Sequence, residues 1–128
     1  MARKSQVATE FMLVVGLAMI IITILAGVLY SLSYNYSEEK NINRLRDLGY
    51  SLQSELILAS QVEPGYERTI IIPNDVNGVS YSISQSDNNL VITYKGTELL
   101  FPIPVVTGTL TKGTNTIRKP DANNVVIS

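Results

Sequence analysis

The first 62 residues of the chain contain no proline, and their apolar positions follow two successive patterns. Residues 11–32 are uncharged throughout, and as a helix they extend roughly 33 Å, enough to cross the hydrocarbon core of a membrane. Residues 42–59 instead carry apolar residues at spacings of three and four, with charged residues between them. That spacing places one apolar stripe on a helix. The two patterns together predict a single helix over about residues 7–62, apolar and then amphipathic, that ends at Pro64 and Gly65.

The amphipathic stripe is expected to cover the rest of the chain. A head of about 60 residues built from short strands has little core of its own, so a helix face is needed to bury its apolar side chains. Packing within the chain is favoured over a separate coiled coil, which requires more heptads. The stripe consists of Ile42, Leu45, Gly49, Leu52, Leu56 and Ala59.

Beyond residue 64 the period of apolar positions changes from about 3.6 to 2, which is typical of strands. Residues 68–72 form a β-branched run, and residues 79–84 alternate apolar with serine side chains. In residues 90–94, Leu90, Ile92 and Tyr94 alternate with Val91 and Thr93. Lys95 and Gly96 predict the turn of a hairpin with residues 97–101, and Pro102 and Pro104 predict an edge or a bend there. Residues 107–110 and 114–118 predict a second hairpin, and residues 125–127 a last strand. The predicted fold class is α+β, with a long N-terminal helix and a small C-terminal antiparallel β-sheet head.

Composition argues against an enzyme. The 128 residues include no Cys and no His, so the usual transition-metal ligands and the usual base or nucleophile at neutral pH are missing. Asp75, Asp87 and Asp121 fall in separate predicted turns, which is typical of turn capping rather than of a metal site. We therefore predict no catalytic residue, no cofactor and no metal. The formal net charge of −1 also gives no reason to expect nucleic acid as a main partner.

The residues ahead of the apolar segment are basic, with one acid. Arg3 and Lys4 precede the segment, which predicts a cytoplasmic N-terminus and places everything after Tyr34 outside the membrane. Glu10 lies directly before the segment. A carboxylate drawn to the middle of a membrane costs on the order of 3 kcal/mol, so the position of this acid requires an explanation. One explanation is an interfacial acid that the positive end of the helix dipole stabilises.

Residues 3–11 carry a family resemblance. Their sequence, Arg-Lys-Ser-Gln-Val-Ala-Thr-Glu-Phe, leads directly into the apolar segment. It resembles the class III (prepilin-type) signal peptide of archaeal type IV pilins, in which a short basic leader is cut immediately before Gln in a Gln-x-Ser-x-Glu-Phe pattern. The resemblance implies cleavage between Ser5 and Gln6 by a prepilin peptidase, and it makes Glu10 the acid that type IV pilins keep near their mature terminus. The chain departs from the pattern at Ser5, where Gly is usual, and at Ala8, where Ser is common.

The resemblance also implies an organisation and a function. It divides the chain into a leader (1–5), a hydrophobic transmembrane or filament-core helix (6–34), an amphipathic continuation (35–63) and a β head (64–128). The implied function is that of a pilin: a precursor in the cell membrane with its head outside, and after cleavage a subunit of an extracellular surface filament used for adhesion. The implied partners are copies of the same chain, the prepilin peptidase, an assembly ATPase and a polytopic membrane platform protein.

The residue types suit such an assembly. Cleavage before Gln6 frees an α-amino group that is largely cationic at neutral pH, and Glu10 supplies the opposite charge. Leaving either charge unpaired in apolar surroundings costs several kcal/mol, so pairing between the amine of an incoming subunit and the acid of a docked one selects one register. Gln6, Glu10 and Phe11 are the predicted assembly residues. Small residues such as Gly16 and Gly27 permit close approach of neighbouring helices.

Other interpretations remain open at this point. The same pattern fits a membrane-anchored extracellular binding module, or a minor pilin-like subunit that primes a filament. Ordinary secretion with cleavage after Ser33 predicts a soluble head, although the apolar segment exceeds the usual h-region of about 7 to 15 residues. Asn35, Tyr36 and Ser37 match the acceptor pattern for N-glycosylation, which makes Asn35 a candidate glycosylation site.

Overall fold

A computed structural model describes residues 2–128. Helix α1 spans Ala2–Gln61, and the strands that follow in this part of the chain are β1 (Glu67–Ile72), β2 (Asp75–Val76), β3 (Val79–Ser80), β4 (Ser82–Ser86), β5 (Asn89–Tyr94), β6 (Thr97–Pro102), β7 (Gly113–Asp121) and β8 (Asn124–Ile127). The predicted α+β class, one long N-terminal helix followed by small antiparallel sheets, is confirmed. The chain forms two compact units, a first unit that runs up to Glu39 and a second unit, Lys40–Ser128, and α1 contributes residues to both.

Helix α1 begins earlier than the sequence predicts. We expected its start near residue 7, whereas it starts at Ala2. Ser5 Oγ donates to the Ala2 carbonyl at 2.9 Å, and Thr9 Oγ1 donates to the Ser5 carbonyl at 2.9 Å. These short polar side chains bond back onto the helix instead of competing with it. At the other end, Gly65 takes a positive φ of 98° a few residues beyond Gln61, which agrees with the predicted stop.

The strands between residues 2 and 128 form three small sheets, with orders β1-β7-β8, β2-β3 and β4-β5-β6. The predicted hairpin between residues 107–110 and 114–118 is wrong. Strand β7 pairs along its first six residues with β1, from Ile72↔Gly113 to Glu67↔Arg118, and also with β8. The preceding segment makes only an isolated parallel bridge between Thr107 and Val126, because the positive φ of 99° at Gly108 interrupts any strand there.

The sheet β4-β5-β6 follows the sequence pattern more closely. Strands β5 and β6 are joined at Lys95 and Gly96, whose φ values of 47° and 82° match the left-handed conformation that tight hairpin turns require. Strand β6 lies at the sheet edge and ends at Pro102, as the prolines predict. The single run predicted over residues 79–84 is divided into β3 and β4 at Tyr81, whose hydroxyl donates to the Pro73 carbonyl.

The core of the second unit combines the amphipathic face of α1 with the strands. Leu45 and Leu56 are fully buried in one cluster with Ile92 and Ile117 from β5 and β7. Every predicted member of the stripe is buried, except for Ile42, which is partly buried against the same cluster. The prediction that this helix face covers the β strands is therefore confirmed. Apolar burial of this kind contributes about 25 cal/mol per Å² removed from water, so the stripe is part of what holds the strands together.

Candidate functional site

The predicted processing and assembly residues lie on consecutive turns of α1. Ser5, Gln6, Glu10 and Phe11 are all helical, and all are exposed. Gln6 Nε2 donates to Glu10 Oε1 at 3.4 Å, because residues four apart lie above one another on the same helix face. The structure therefore brings the side-chain amide of Gln6 and the carboxylate of Glu10 together within one chain.

From Phe11 onward, α1 presents large apolar side chains in every direction. Their exposed fractions over residues 11–32 range from 40% at Val15 to 78% at Tyr30. A contiguous apolar surface of this extent is rare on a soluble monomer and marks a site that lipid or protein covers. By length and composition, α1 is the helix in residues 2–128 that could cross a membrane.

Small residues interrupt this apolar surface. A Cβ atom added at Gly16 or at Gly27 meets no other atom within 4 Å, so both positions open onto free space. Thr23, which lies between them, donates its hydroxyl to the Met19 carbonyl at 2.8 Å. Because that hydroxyl is already bonded, this part of the surface offers shape for close helix packing rather than free hydrogen-bonding groups.

Asn35 is not part of the cluster at residues 5–11. It lies in α1 about 36 Å beyond Phe11 along the helix axis, and it is exposed. The structure therefore leaves the candidate glycosylation position accessible, as a separate helical site.

Buried polar residues of β7 were not anticipated from the sequence. Asn115 and Lys119 are only 2% and 5% exposed. Together with the buried Ile117 they occupy every second position of the strand, so all three lie on its inward face. Lys119 Nζ donates to the carbonyls of Ser60 at 2.6 Å and Val62 at 2.7 Å. Carbonyls at the end of a helix lack partners within the helix and carry partial negative charge, so this ammonium stabilises the C-terminal end of α1. The burial of Lys119 could have been predicted from the alternation of side chains in a strand, because Lys119 lies two residues after the apolar Ile117 and therefore on the same face.

The aspartates have local roles. The backbone N–H of Asn123 and the side-chain amide of Asn124 donate to the Asp121 carboxylate and hold its pKa below the ordinary value, so the predicted turn capping is confirmed there. Asp75 instead lies in β2. Burial, with a smaller contribution from the charge of Asp75, raises the pKa of Tyr81. Residues 2–128 contain no group of three or more His, Cys, Asp or Glu side chains arranged to hold a metal ion.

No family model, no curated protein and no solved structure matches this chain.

Proposed function

We propose that the chain is the structural subunit of an archaeal type IV pilus-like surface filament, cut before Gln6 and polymerised through the apolar part of α1. The observation that carries the proposal is the uncovered apolar surface of residues 11–32, which begins directly after the exposed carboxylate of Glu10. A filament made of such helices covers this surface with copies of itself. Adhesion is the proposed use of the filament.

The charge pair sets the register of the polymer. Cleavage leaves an ammonium group on Gln6, and the exposed Glu10 of a docked subunit is its proposed partner. Two unit charges 4 Å apart attract by about 1 kcal/mol in water but by about 4 kcal/mol at an effective dielectric of 20. An attraction of about 4 kcal/mol changes an equilibrium constant by roughly a thousandfold. The pair therefore matters most where neighbouring apolar helices exclude water, and it disfavours any register that leaves a charge unpaired.

The proposed life cycle follows from these parts. The precursor lies in the cell membrane with its basic N-terminus in the cytoplasm, and the prepilin peptidase removes residues 1–5. An assembly ATPase and a membrane platform protein then move the subunit into the extracellular filament. The proposal assigns no enzymatic activity to the chain.

A second candidate is a membrane-anchored binding module or a minor priming subunit. It is favoured by one observation: the second unit has a core of its own, centred on residues such as Leu56 and Ile92. A unit with its own core can be carried by a single anchor as readily as by a filament.

The N-terminus of the protein isolated from its native host separates pilin processing from a plain anchor and from ordinary secretion. A chain that begins at Gln6 in sheared surface filaments supports the pilin. A chain that retains residues 1–5 supports the plain anchor, and a soluble chain that begins at Tyr34 supports ordinary secretion.

The role of the acid is tested by Glu10→Ala, with Glu39→Ala as the matched control. Both residues are exposed acids of α1, but Glu39 lies well beyond the apolar segment. We expect both variants to insert into the membrane and only Glu10→Ala to lose filaments, measured as pilin in the sheared fraction. Wild-type filament yield from Glu10→Ala contradicts the proposed pairing.

A further inference from the structure

The proposed cleavage would make Gln6 the first residue of the mature chain, with a free α-amine. Glutamine in that place has a particular reactivity, since its own α-nitrogen can reach the side-chain carbonyl carbon in an unstrained five-membered ring. In the structure the nitrogen that would leave in that reaction, Nε2 of Gln6, lies 3.4 Å from Oε1 of Glu10. The same carboxylate that is proposed to pair with the amine thus also contacts the reacting amide.

We propose that Gln6 is a cyclisation site: after processing, in a subunit that is not docked, its α-amine closes on its own side-chain amide to form a lactam beside Glu10. This inference rests on the proposed cleavage before Gln6. It adds to the filament proposal a modification that removes the charge on which docking depends.

The reaction is balanced without any further reactant. The lone pair of the α-nitrogen forms a bond to Cδ of Gln6, and the Cδ–Nε2 bond breaks with its electron pair going to Nε2. The proton lost by the α-nitrogen is carried away on the leaving ammonia. The nitrogen that leaves as ammonia is the one that the Glu10 carboxylate contacts. The product is a neutral N-terminal lactam.

Docking protects the amine from this reaction. Only the neutral amine has a lone pair to react, and roughly one α-amine in ten is neutral at pH 7. A carboxylate of a neighbouring subunit stabilises the charged form of the amine, so docking lowers the neutral fraction and slows ring closure in proportion. A paired amine therefore stays open, whereas an undocked subunit slowly loses its charge and with it the ability to pair.

The test follows N-terminal peptides in the native host after protein synthesis is stopped. Membrane and sheared-filament fractions are sampled over time and digested, and the peptide that begins at Gln6 is measured by mass spectrometry. We expect a species lighter by one ammonia to accumulate in the membrane fraction, while filament subunits keep the open form. The Gln6→Met variant, which has a side chain of similar length but no amide, is expected to show no such species in either fraction.

A second measurement does not depend on that variant being processed. An aminopeptidase specific for N-terminal lactams is expected to convert the blocked wild-type chain into one that begins at Val7. If processed chains in the membrane stay open at Gln6, the inference is refuted while the proposed cleavage stands. If the lactam is as frequent in filaments as in membranes, protection by pairing is refuted. Chains that retain residues 1–5 refute the processing itself, an outcome that is recognised by their greater mass.

Discussion

The contact between Gly49 and Phe101 gives the sharpest test of how α1 packs on the strands. A Cβ atom added at Gly49 lies 2.7 Å from Cε1 of Phe101 and closer still to Cε2 and Cζ. Carbon atoms pack best about 3.5 to 4.0 Å apart, so the ring has to withdraw by about 1 Å or more. Phe101 is only 3% exposed, and the exposed Tyr50 lies edge-on against its ring at a centroid distance of 5.2 Å. The ring therefore has little room to withdraw.

Two opposing effects set the size of the Gly49→Ala change. Overpacking of a buried site costs about 1 to 3 kcal/mol. Replacing glycine by alanine inside a helix contributes about 1 kcal/mol of stability. We expect the overpacking to prevail, so that Gly49→Ala lowers the free energy of unfolding by about 1 kcal/mol. In a Phe101→Leu background the ring is absent, and the same change is expected to be neutral or stabilising.

The assay is urea unfolding of the full chain in detergent micelles. Near-ultraviolet circular dichroism of the buried tyrosines, such as Tyr81 and Tyr94, reports on the second unit. Ser51→Ala, on an exposed part of the same helix, is the control for helix propensity. An equal effect of Gly49→Ala in the wild-type and Phe101→Leu backgrounds, or stabilisation in the wild type, would refute the packing argument.

Three further predictions follow from the structure. Lys119→Met keeps the aliphatic stem but leaves the Ser60 and Val62 carbonyls without the Lys119 ammonium. We expect the free energy of unfolding in urea to fall by about 1 to 3 kcal/mol, and an unchanged midpoint contradicts the stabilisation of the α1 end by Lys119. Because the pKa of Asp121 is lowered on folding, its contribution to stability is present above the unfolded pKa and is lost as pH falls through the folded value. The free energy of unfolding of Asp121→Asn should therefore fall less at low pH than that of the wild type. Parallel curves of unfolding free energy against pH for the two proteins contradict this. Gly27→Leu fills an open position on the apolar surface, so it is expected to reduce filament yield without affecting membrane insertion, as judged by fractionation; normal filaments rule out close packing at that position.

The parts of the fold that the sequence predicts are those that depend on near neighbours in the chain. The stripe from Ile42 to Ala59 follows from a three and four spacing, and the hairpin at Lys95 follows from a turn that only a few residue types favour. The pairing of β1 with β7 could not be predicted in this way, since Ile72 and Gly113 are far apart in sequence and their contact depends on the whole unit. The local pattern therefore favoured a nearby partner for residues 114–118, and the true one is distant.

In the candidate site too, contacts between near neighbours in the chain are predictable from the sequence, and contacts between distant residues are not. The contact between Gln6 and Glu10 can be predicted from the sequence, because residues four apart on a helix lie on the same face. The role of Lys119 depends on where the end of α1 meets β7, and no spacing in the sequence specifies that meeting. The partner that covers residues 11–32 does not follow from folding of the chain, because it consists of other molecules.

Lipid and neighbouring subunits can both cover an apolar helix, so the apolar surface by itself does not separate an anchor from a filament. Glu10 does separate them. In a lone anchor this acid lies at the level of the lipid headgroups, where water solvates it and its replacement by alanine changes little. In a filament the same acid is surrounded by the helices of other subunits, where an unpaired charge costs several kcal/mol and a paired one selects the register. A large loss of assembly from the removal of a single exposed carboxylate, with membrane insertion intact, is therefore a result that the filament explains and the anchor does not.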